Sequence, residues 1–461
     1  MLKNRKTGCD AYYFLLTVDA FKKQRRIPIR LPPYYLLDVS EQWYPPGFTI
    51  FLSLFSKRIL DRVHFYIGPL LDSLNGLMLG LLLWTIGVEW IGIIGGMLVY
   101  AIIPAVVLPT TSLNSRPLGN LLFTLTFLSL LIALQQNPIL AWLGFVIFGF
   151  MLLMTHKLTM QELVMVCGAC AVVFLDLRYV LALAGLFLFT LTLSGGFYYK
   201  VLLGQREILW FWRKYWPFWE AHQVYDSPIY GKHGQRKLFY GNTPTHYLRY
   251  ARILLAANPF LIMVPFLTAG AYAPIALAVI GASALIAVLT LIIPGLRFLG
   301  EGEKYLKYTA FPTAYLVGTH LPTLIDFSGI LLAIAAALCI TSLTIKYRKS
   351  KRNYSRIDSD LHAVFAFVRR KHLDRIMCIP VFFADALMHH GRCKVLWGSH
   401  SGGFHKLQEF FPVLQKPLSY FKKQYRLSCV ILNTDYVNPK ALHLTIAHRL
   451  FVSGPYCIYR L

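Results

Sequence analysis

Acidic side chains are scarce in this sequence: 21 Asp and Glu stand against 46 Lys and Arg in 461 residues, a formal charge of +25. Charge of either sign is also sparse, at 15% of residues, while 56% are hydrophobic and the mean hydropathy is +0.52. So little charge cannot coat a soluble globule, and so much apolar surface exceeds what one soluble core buries. The same composition excludes disorder. Eight cysteines, none at zinc-ligand spacing, exclude a disulfide scaffold in a chain of this length. Cys167 and Cys170 form a C-x-x-C, but inside the apolar run from Leu163 to Phe174, where they read as small packing residues, because a redox pair needs solvent. No internal repeat is visible. The first ten residues hold three basic side chains and no apolar stretch, so no signal peptide is expected.

What the chain does have is long apolar runs. At about 20 residues per crossing, spans are expected near 66–86, 91–109, 118–135, 138–155, 160–177, 179–199, 252–271 and 273–294, with two less clean ones at 308–325 and 327–346. Gly47 to Phe55 is too short to cross and reads as an interfacial or re-entrant helix. After a basic membrane-flanking stretch, Lys346 to Arg352, the composition turns soluble. There the pattern predicts helices at 359–370, 382–389 and 405–424, and strands at 375–379, 394–397, 429–432 and 456–459.

The expected fold class is therefore a polytopic α-helical membrane protein of about ten spans with a small C-terminal α/β soluble domain. Its parts are a first extracytoplasmic loop with a short interfacial helix (1–65), a transmembrane bundle (66–346) and the soluble domain (347–461). For a membrane chain, the cationic excess predicts attraction to anionic head groups or to a phosphate-bearing substrate rather than to nucleic acid. The Lys and Arg count would put the side of residues 1–65 in the cytoplasm, but that rule is a rule for short loops.

Four polar stretches could carry chemistry. Cys9-Asp10-Ala11-Tyr12-Tyr13-Phe14 and, further on, Trp43-Tyr44-Pro45-Pro46-Gly47-Phe48 combine a carboxylate with rings. A carboxylate there can act as general base toward a sugar hydroxyl, and the rings of Tyr12, Tyr13 and Tyr44 can stack on sugar faces. Taken singly, Asp10 is equally an ordinary juxtamembrane acid and the rings an aromatic belt. In Ser112-Leu113-Asn114-Ser115-Arg116-Pro117-Leu118-Gly119 one arginine sits at a span mouth, where its fork suits phosphate or simply snorkels to the interface. The stretch from Trp210 to His222, continuing to His233 and His246, interleaves rings and cations, and fits a lipid-phosphate entrance, a sugar-binding loop or an amphipathic interfacial helix. Its histidines are too widely spaced for a metal claim. Glu301-Gly302-Glu303-Lys304-Tyr305 could hold a diphosphate, a metal or an acceptor, or form a charged collar. Gly398-Ser399-His400-Ser401-Gly402 is rejected as a nucleophile elbow, since a His occupies the place of the Ser.

The order of these features resembles the polytopic GT-C glycosyltransferases: an early Asp-x-Tyr-Tyr, a Tyr-Pro-Pro-Gly-Phe stretch, a Ser-Arg-Pro-Leu-Gly loop after two spans and a Glu-Lys-Tyr loop before a late span. That class includes the protein O-mannosyltransferases, the catalytic subunits of oligosaccharyltransferases, and bacterial enzymes that add sugars to lipid A or cell-wall polymers. The resemblance covers about residues 9–346. It implies a cell-envelope enzyme, multi-pass in the plasma (inner) membrane, that transfers sugar from a polyprenyl-phosphate carrier to an extracytoplasmic lipid, glycan or protein acceptor. By position it implies Asp10 as base or as ligand of a divalent cation, and Arg116 as a contact for the carrier phosphate. Glu301, Glu303, Lys304 and Tyr305 fall where the class often carries an Arg-Tyr pair; Lys in place of Arg weakens a bidentate phosphate role. The class has a membrane helix before its first acidic loop and none precedes Asp10 here, so a truncated start is expected. This reading favours Asp10 outside and, with ten spans, the soluble tail on the same side.

Two rival classes share the basic cavity and the helices. A transporter or flippase for lipid-linked sugar should show inverted repeats or paired broken helices with intramembrane charges. An O-antigen ligase or polymerase would instead use Arg and His of a large outer loop, here 200–251.

Overall fold

The computed structural model describes the chain apart from residues 1–8, 29–33, 38–42, 110–111, 216–222, 225, 233–242, 271, 301, 324–326, 351–356 and 399–403. Helix α1 (Cys9–Gln24) is followed by α2 (Gly47–Ser53), α3 (Lys57–Thr85), α4 (Trp90–Ile102), α5 (Pro104–Val107), α6 (Arg116–Gln136), α7 (Ile139–Leu153), α8 (Lys157–Val173), α9 (Arg178–Leu193) and α10 (Phe197–Tyr215). A two-residue hairpin, β1 (Asp226–Ser227) and β2 (Gly231–Lys232), precedes α11 (Pro244–Ala257), α12 (Ala273–Ile292), α13 (Ala310–His320) and α14 (Phe327–Ser350).

Helix α3 shows why this bundle needs lipid. Its 29 residues reach about 43 Å at 1.5 Å per residue. Leu71, Leu79 and Leu83 are buried on one side, whereas Leu70, Leu74, Leu77, Leu81 and Trp84 stay exposed, Leu70 at 62% and Trp84 at 67%. An apolar stripe of this length is too costly to leave against water, so hydrocarbon is its solvent. The helix starts at Lys57, nine residues before the expected span, because the Ser56 hydroxyl accepts from the Ile59 amide and caps it.

The roughly ten expected crossings do not each coincide with one long helix. Among the described residues, four helices are long and apolar enough to cross by length and composition, or five if the bent pair α9 and α10 counts as one span. Prolines and glycines break the other runs. The run 179–199 turns by 113° between α9 and α10 at Gly195 and Gly196, both at positive φ. The run 252–271 ends its helix at Ala257 and continues as two 3-10 turns that start at Pro259 and contain Pro265. Helix α4 stops before Pro104, and α13 before Pro322. In helix α2, the expected interfacial or re-entrant helix, Phe48, Thr49 and Leu52 are buried against the protein.

The C-terminal part carries α15 (Ser359–Arg370), β3 (Ile376–Ile379), α16 (Ala384–Gly391), α17 (Phe404–Leu407), α18 (Leu418–Tyr425), β4 (Cys429–Asn433), β5 (Arg449–Ser453) and β6 (Tyr456–Arg460). The sheet order is β3-β4-β6-β5; β3 runs parallel to β4 and the other pairs are antiparallel. The single helix expected over 405–424 is split into α17 and α18 by Pro412 and Pro417. β5 has no counterpart among the expected strands; it ends the strand order and none of its residues is fully buried, as on an edge.

This sheet is completed by the other end of the chain. Val395 bridges both Ile376 and Tyr35, the Leu36 amide donates to the Val395 carbonyl at 2.8 Å, and the Tyr35 hydroxyl donates to Asp385 at 2.9 Å. Helix α1 packs on α16, with the Tyr12 ring 5.3 Å from those of His389 and His390. The sheet therefore lies on the same side of the bundle as α1.

Candidate active site

Asp10 stands in the first turn of α1, where the helix dipole favours a carboxylate. On a helix each residue turns by about 100°, so Tyr13 and Phe14, three and four positions on, lie within about 60° of the Asp10 direction, while Tyr12 points to the opposite side. Tyr44 arrives from the next segment, whose position is set by Gly47. The Gly47 amide donates to the Met154 carbonyl at 2.6 Å, and a Cβ there would meet Thr155 Oγ1 at 2.5 Å and Met154 O at 2.7 Å.

Arg116 is placed by the side chain of Asn114. Asn114 Nδ2 donates to the Pro109 and Ser112 carbonyls at 2.7 and 2.9 Å, and its Oδ1 accepts from the Arg116 amide at 3.0 Å. This fixes the loop that opens α6. One turn later Gly119 lets α6 approach the start of α8; a Cβ on it would lie 2.5 Å from Thr159 Oγ1. His156 caps α8, its Nδ1 accepting from the Thr159 amide at 3.4 Å, which assigns the ring proton to Nε2. The Thr159 hydroxyl lies 3.0 Å from that Nδ1 and 2.8 Å from the Tyr308 hydroxyl.

These elements enclose a cavity of about 310 Å³. Its polar wall includes Asp10, Tyr44, Asn114, Ser115, Arg116, His156, Lys157, Gln161, Gln205 and Lys304, and Trp212 of α10 and Phe298 add rings. Asp10, Tyr44, Arg116 and Lys304 of the expected set thus meet in one place. Tyr12, Tyr13, Glu303 and Tyr305 are not among its lining residues. The Tyr12 hydroxyl lies 3.2 Å from His390 Nε2, Tyr13 is buried beside Phe14 and Tyr44, and the Tyr305 hydroxyl donates to Gln161 Oε1 at 3.2 Å. Glu301, like Asp38, Glu41, His222, His233 and His400, lies outside the described residues.

His156 and Lys157 were missed from sequence. The available signal was a His-Lys pair between two apolar runs, at the mouth of a span.

Among the described residues the cavity is electropositive: Arg116, Lys157 and Lys304 face one carboxylate, Asp10. Burial, then the charges of Lys304 and Arg116, lower the Lys157 pKa to about 8, with Asp10 opposing. Burial first, then the same cations, hold His156 well below the usual imidazole range, so it is neutral near pH 7. Burial pushes Tyr44 up to about 12, with a hydrogen bond to Ser115 opposing, so it remains a neutral hydroxyl. A divalent cation at Asp10 would need further anionic or neutral ligands. Among the described residues no three His, Cys, Asp or Glu come together, and three cations surround the one carboxylate.

Next to this polar chamber lies an apolar cavity of about 140 Å³ lined by Phe123, Phe127, Leu131, Ile275, Val279 and Tyr308, among others. The Tyr308-Thr159-His156 chain connects the walls of the two.

Neither a family model nor a curated protein matches the sequence. Solved structures do match the fold. The oligosaccharyltransferase of Archaeoglobus fulgidus in its apo form aligns over 92% of this chain and 66% of its own, with a TM-score of 0.55 and 11% identity. The archaeal oligosaccharyltransferase AglB from the same organism, in complex with an inhibitory peptide and a dolichol-phosphate, aligns over 94% and 66%, with TM-score 0.53 and 11% identity. The A. fulgidus enzyme tethered to an acceptor peptide containing the NVT sequon aligns over 92% and 65%, with TM-score 0.53 and 12% identity. The chain spans just under two thirds of the length of these structures. The likeness is one of fold: the chain shares the fold of these oligosaccharyltransferase structures.

Proposed function

We propose that this chain is a membrane glycosyltransferase that moves a sugar from a polyprenyl-phosphate carrier to an extracytoplasmic acceptor, using Asp10 as base. One observation carries the reading: an acid from α1 and cations from three other parts of the chain, Arg116, Lys157 and Lys304, line a single cavity. In support, AglB was solved with a dolichol-phosphate and a related structure with an acceptor peptide. The parts of the chain would then be a first loop region (1–65), a helix bundle (66–346) and a soluble α/β region (347–461), with Asp10 and the soluble region both outside.

The chemistry follows from the charges. The donor phosphate sits among Arg116, Lys157 and Lys304, whose cations replace its hydration where the medium is too apolar to supply any. Its prenyl chain leaves through the apolar cavity beside Phe123 and Phe127. The acceptor hydroxyl attacks the anomeric carbon from the Asp10 side. The Asp10 carboxylate takes the hydroxyl proton as the new C–O bond forms and the bond to phosphate breaks, releasing polyprenyl phosphate. A single displacement inverts the anomeric centre. Neutral His156 and Tyr44 can donate hydrogen bonds without competing for that proton.

Membranes containing the chain, incubated with radiolabelled polyprenyl-phosphate sugar, test this: label should pass to acceptor material with release of the carrier. Donor that crosses the bilayer intact, with no label transferred, would instead make the chain a transporter.

A further inference from the structure

Helix α1 lines two cavities, one near each of its ends. Asp10 and Phe14 face the chamber described above, while Leu16, Asp19 and Lys23 face another. Nine residues separate Asp10 from Asp19, about 13 Å along the axis. The second cavity is the larger, about 680 Å³, within the range of ligand sites. It lies where α1 and the start of α3 meet α15, the turn before β3, and the end of α16.

Its wall is strongly cationic. Lys23, Lys57, Arg369, Arg392 and Lys394 stand against two acids, Asp19 and Asp374, beside His389 and His390. Both acids are engaged. Asp19 pairs with Lys57 at 2.8 Å, and Asp374 Oδ1 accepts from the Lys394 backbone amide at 2.6 Å. A bond from a neutral amide leaves the Asp374 charge in place, so among the described residues the wall holds five cations against two carboxylates, an excess of three positive charges carried by Lys23, Arg369, Arg392 and the Lys394 ammonium. Arg392 is moreover held at φ +55, a left-handed conformation that favours Asn or Gly, at the end of α16. Four cations brought together from both ends of the chain repel one another unless an anion joins them, and two guanidinium forks match phosphate oxygens in pairs.

We propose that this second cavity binds a phosphate-bearing ligand through Arg369, Arg392, Lys23 and Lys394, independently of the chamber at Asp10. The phosphate has two possible sources, an anionic lipid head group or a soluble phosphate compound.

The test uses the full chain in detergent and inorganic pyrophosphate as probe, followed by calorimetry. The wild type is compared with Arg369→Gln/Arg392→Asn, where Asn tolerates the left-handed conformation, and with Arg116→Gln as control. Thermal unfolding of each variant checks that it folds; if the pair does not, the Arg369→Gln change alone, on an exposed position, is used. The expected result is a component of pyrophosphate binding that weakens at least tenfold in the Arg369/Arg392 variant and persists in Arg116→Gln. A second arm measures lipid retained from phosphatidylglycerol nanodiscs by native mass spectrometry. Retained phosphatidylglycerol that the variant loses assigns a lipid source; pyrophosphate binding without it assigns a soluble one. A folded variant that matches the wild type in both arms overturns the proposal.

Discussion

Asp10 and Arg116, far apart in sequence, line the same cavity, and both act electrostatically on the Tyr44 hydroxyl, which also hydrogen-bonds Ser115. A carboxylate placed near a fixed guanidinium divides the work: one group takes a proton while the other holds an anion. The substitutions that follow separate these tasks.

Arg116→Gln removes a charge-assisted contact worth about 1.5–3 kcal/mol. The expected outcome is an apparent KM for the lipid-phosphate donor raised at least about tenfold, with kcat less affected. Arg116→Lys should recover part of the loss, since it restores charge but not the fork. Steady-state transfer assays over a range of donor concentrations check this.

Lys157 supplies a pH dependence. With its pKa lowered to about 8, it is a cation below that pH and neutral above it. A phosphodiester donor does not titrate in this range, so kcat/KM should fall as pH rises through about 8, the free-enzyme value. Lys157→Arg, cationic throughout, should abolish that fall. A profile from pH 6.5 to 9.5 for both proteins reads it directly.

Gly47 and Gly119 hold backbone where no side chain fits. Gly47→Ala forces a Cβ against Thr155 Oγ1 and Met154 O, and overpacking of this kind costs about 1–3 kcal/mol. A lower Tm in detergent, with transfer lost together with stability as Tyr44 is displaced, is the expected result.

Lys307 and Asp72 form a buried ion pair at 3.1 Å between the 3-10 turn before α13 and the middle of α3. Lys307→Met leaves the carboxylate buried and uncompensated, at a cost of about 3–5 kcal/mol. The double variant Lys307→Met/Asp72→Leu should be more stable than the single one. Thermal unfolding of these two variants, of Asp72→Leu alone and of the wild type closes the cycle.

The apolar runs made the membrane bundle legible, because composition alone decides which solvent a helix can face. Breaks inside those runs were less legible: Pro259 and the Gly195-Gly196 pair were visible, but whether a proline kinks a crossing or ends it depends on packing. At the cavity, Asp10, Tyr44, Arg116 and Lys304 could be named because each is a polar residue beside a span or a turn. Tyr12 and Tyr13 were grouped with Asp10 as though on a loop, whereas on α1 Tyr12 points about 160° away from it, and Tyr13, about 60° away, packs on Phe14 and Tyr44 behind the cavity wall. His156 and Lys157 became visible only when α8 packed against α6, since a lone His-Lys pair at a span mouth carries no pattern of its own.

The most direct measurement is the effect of Asp10→Asn on two quantities in the same preparation, donor binding and sugar transfer. If Asp10 is the base, the variant binds the lipid-phosphate donor about as tightly as the wild type, while transfer falls by about 10²–10⁴-fold. Transfer retained at the wild-type rate, with donor bound and the protein folded, would contradict the account.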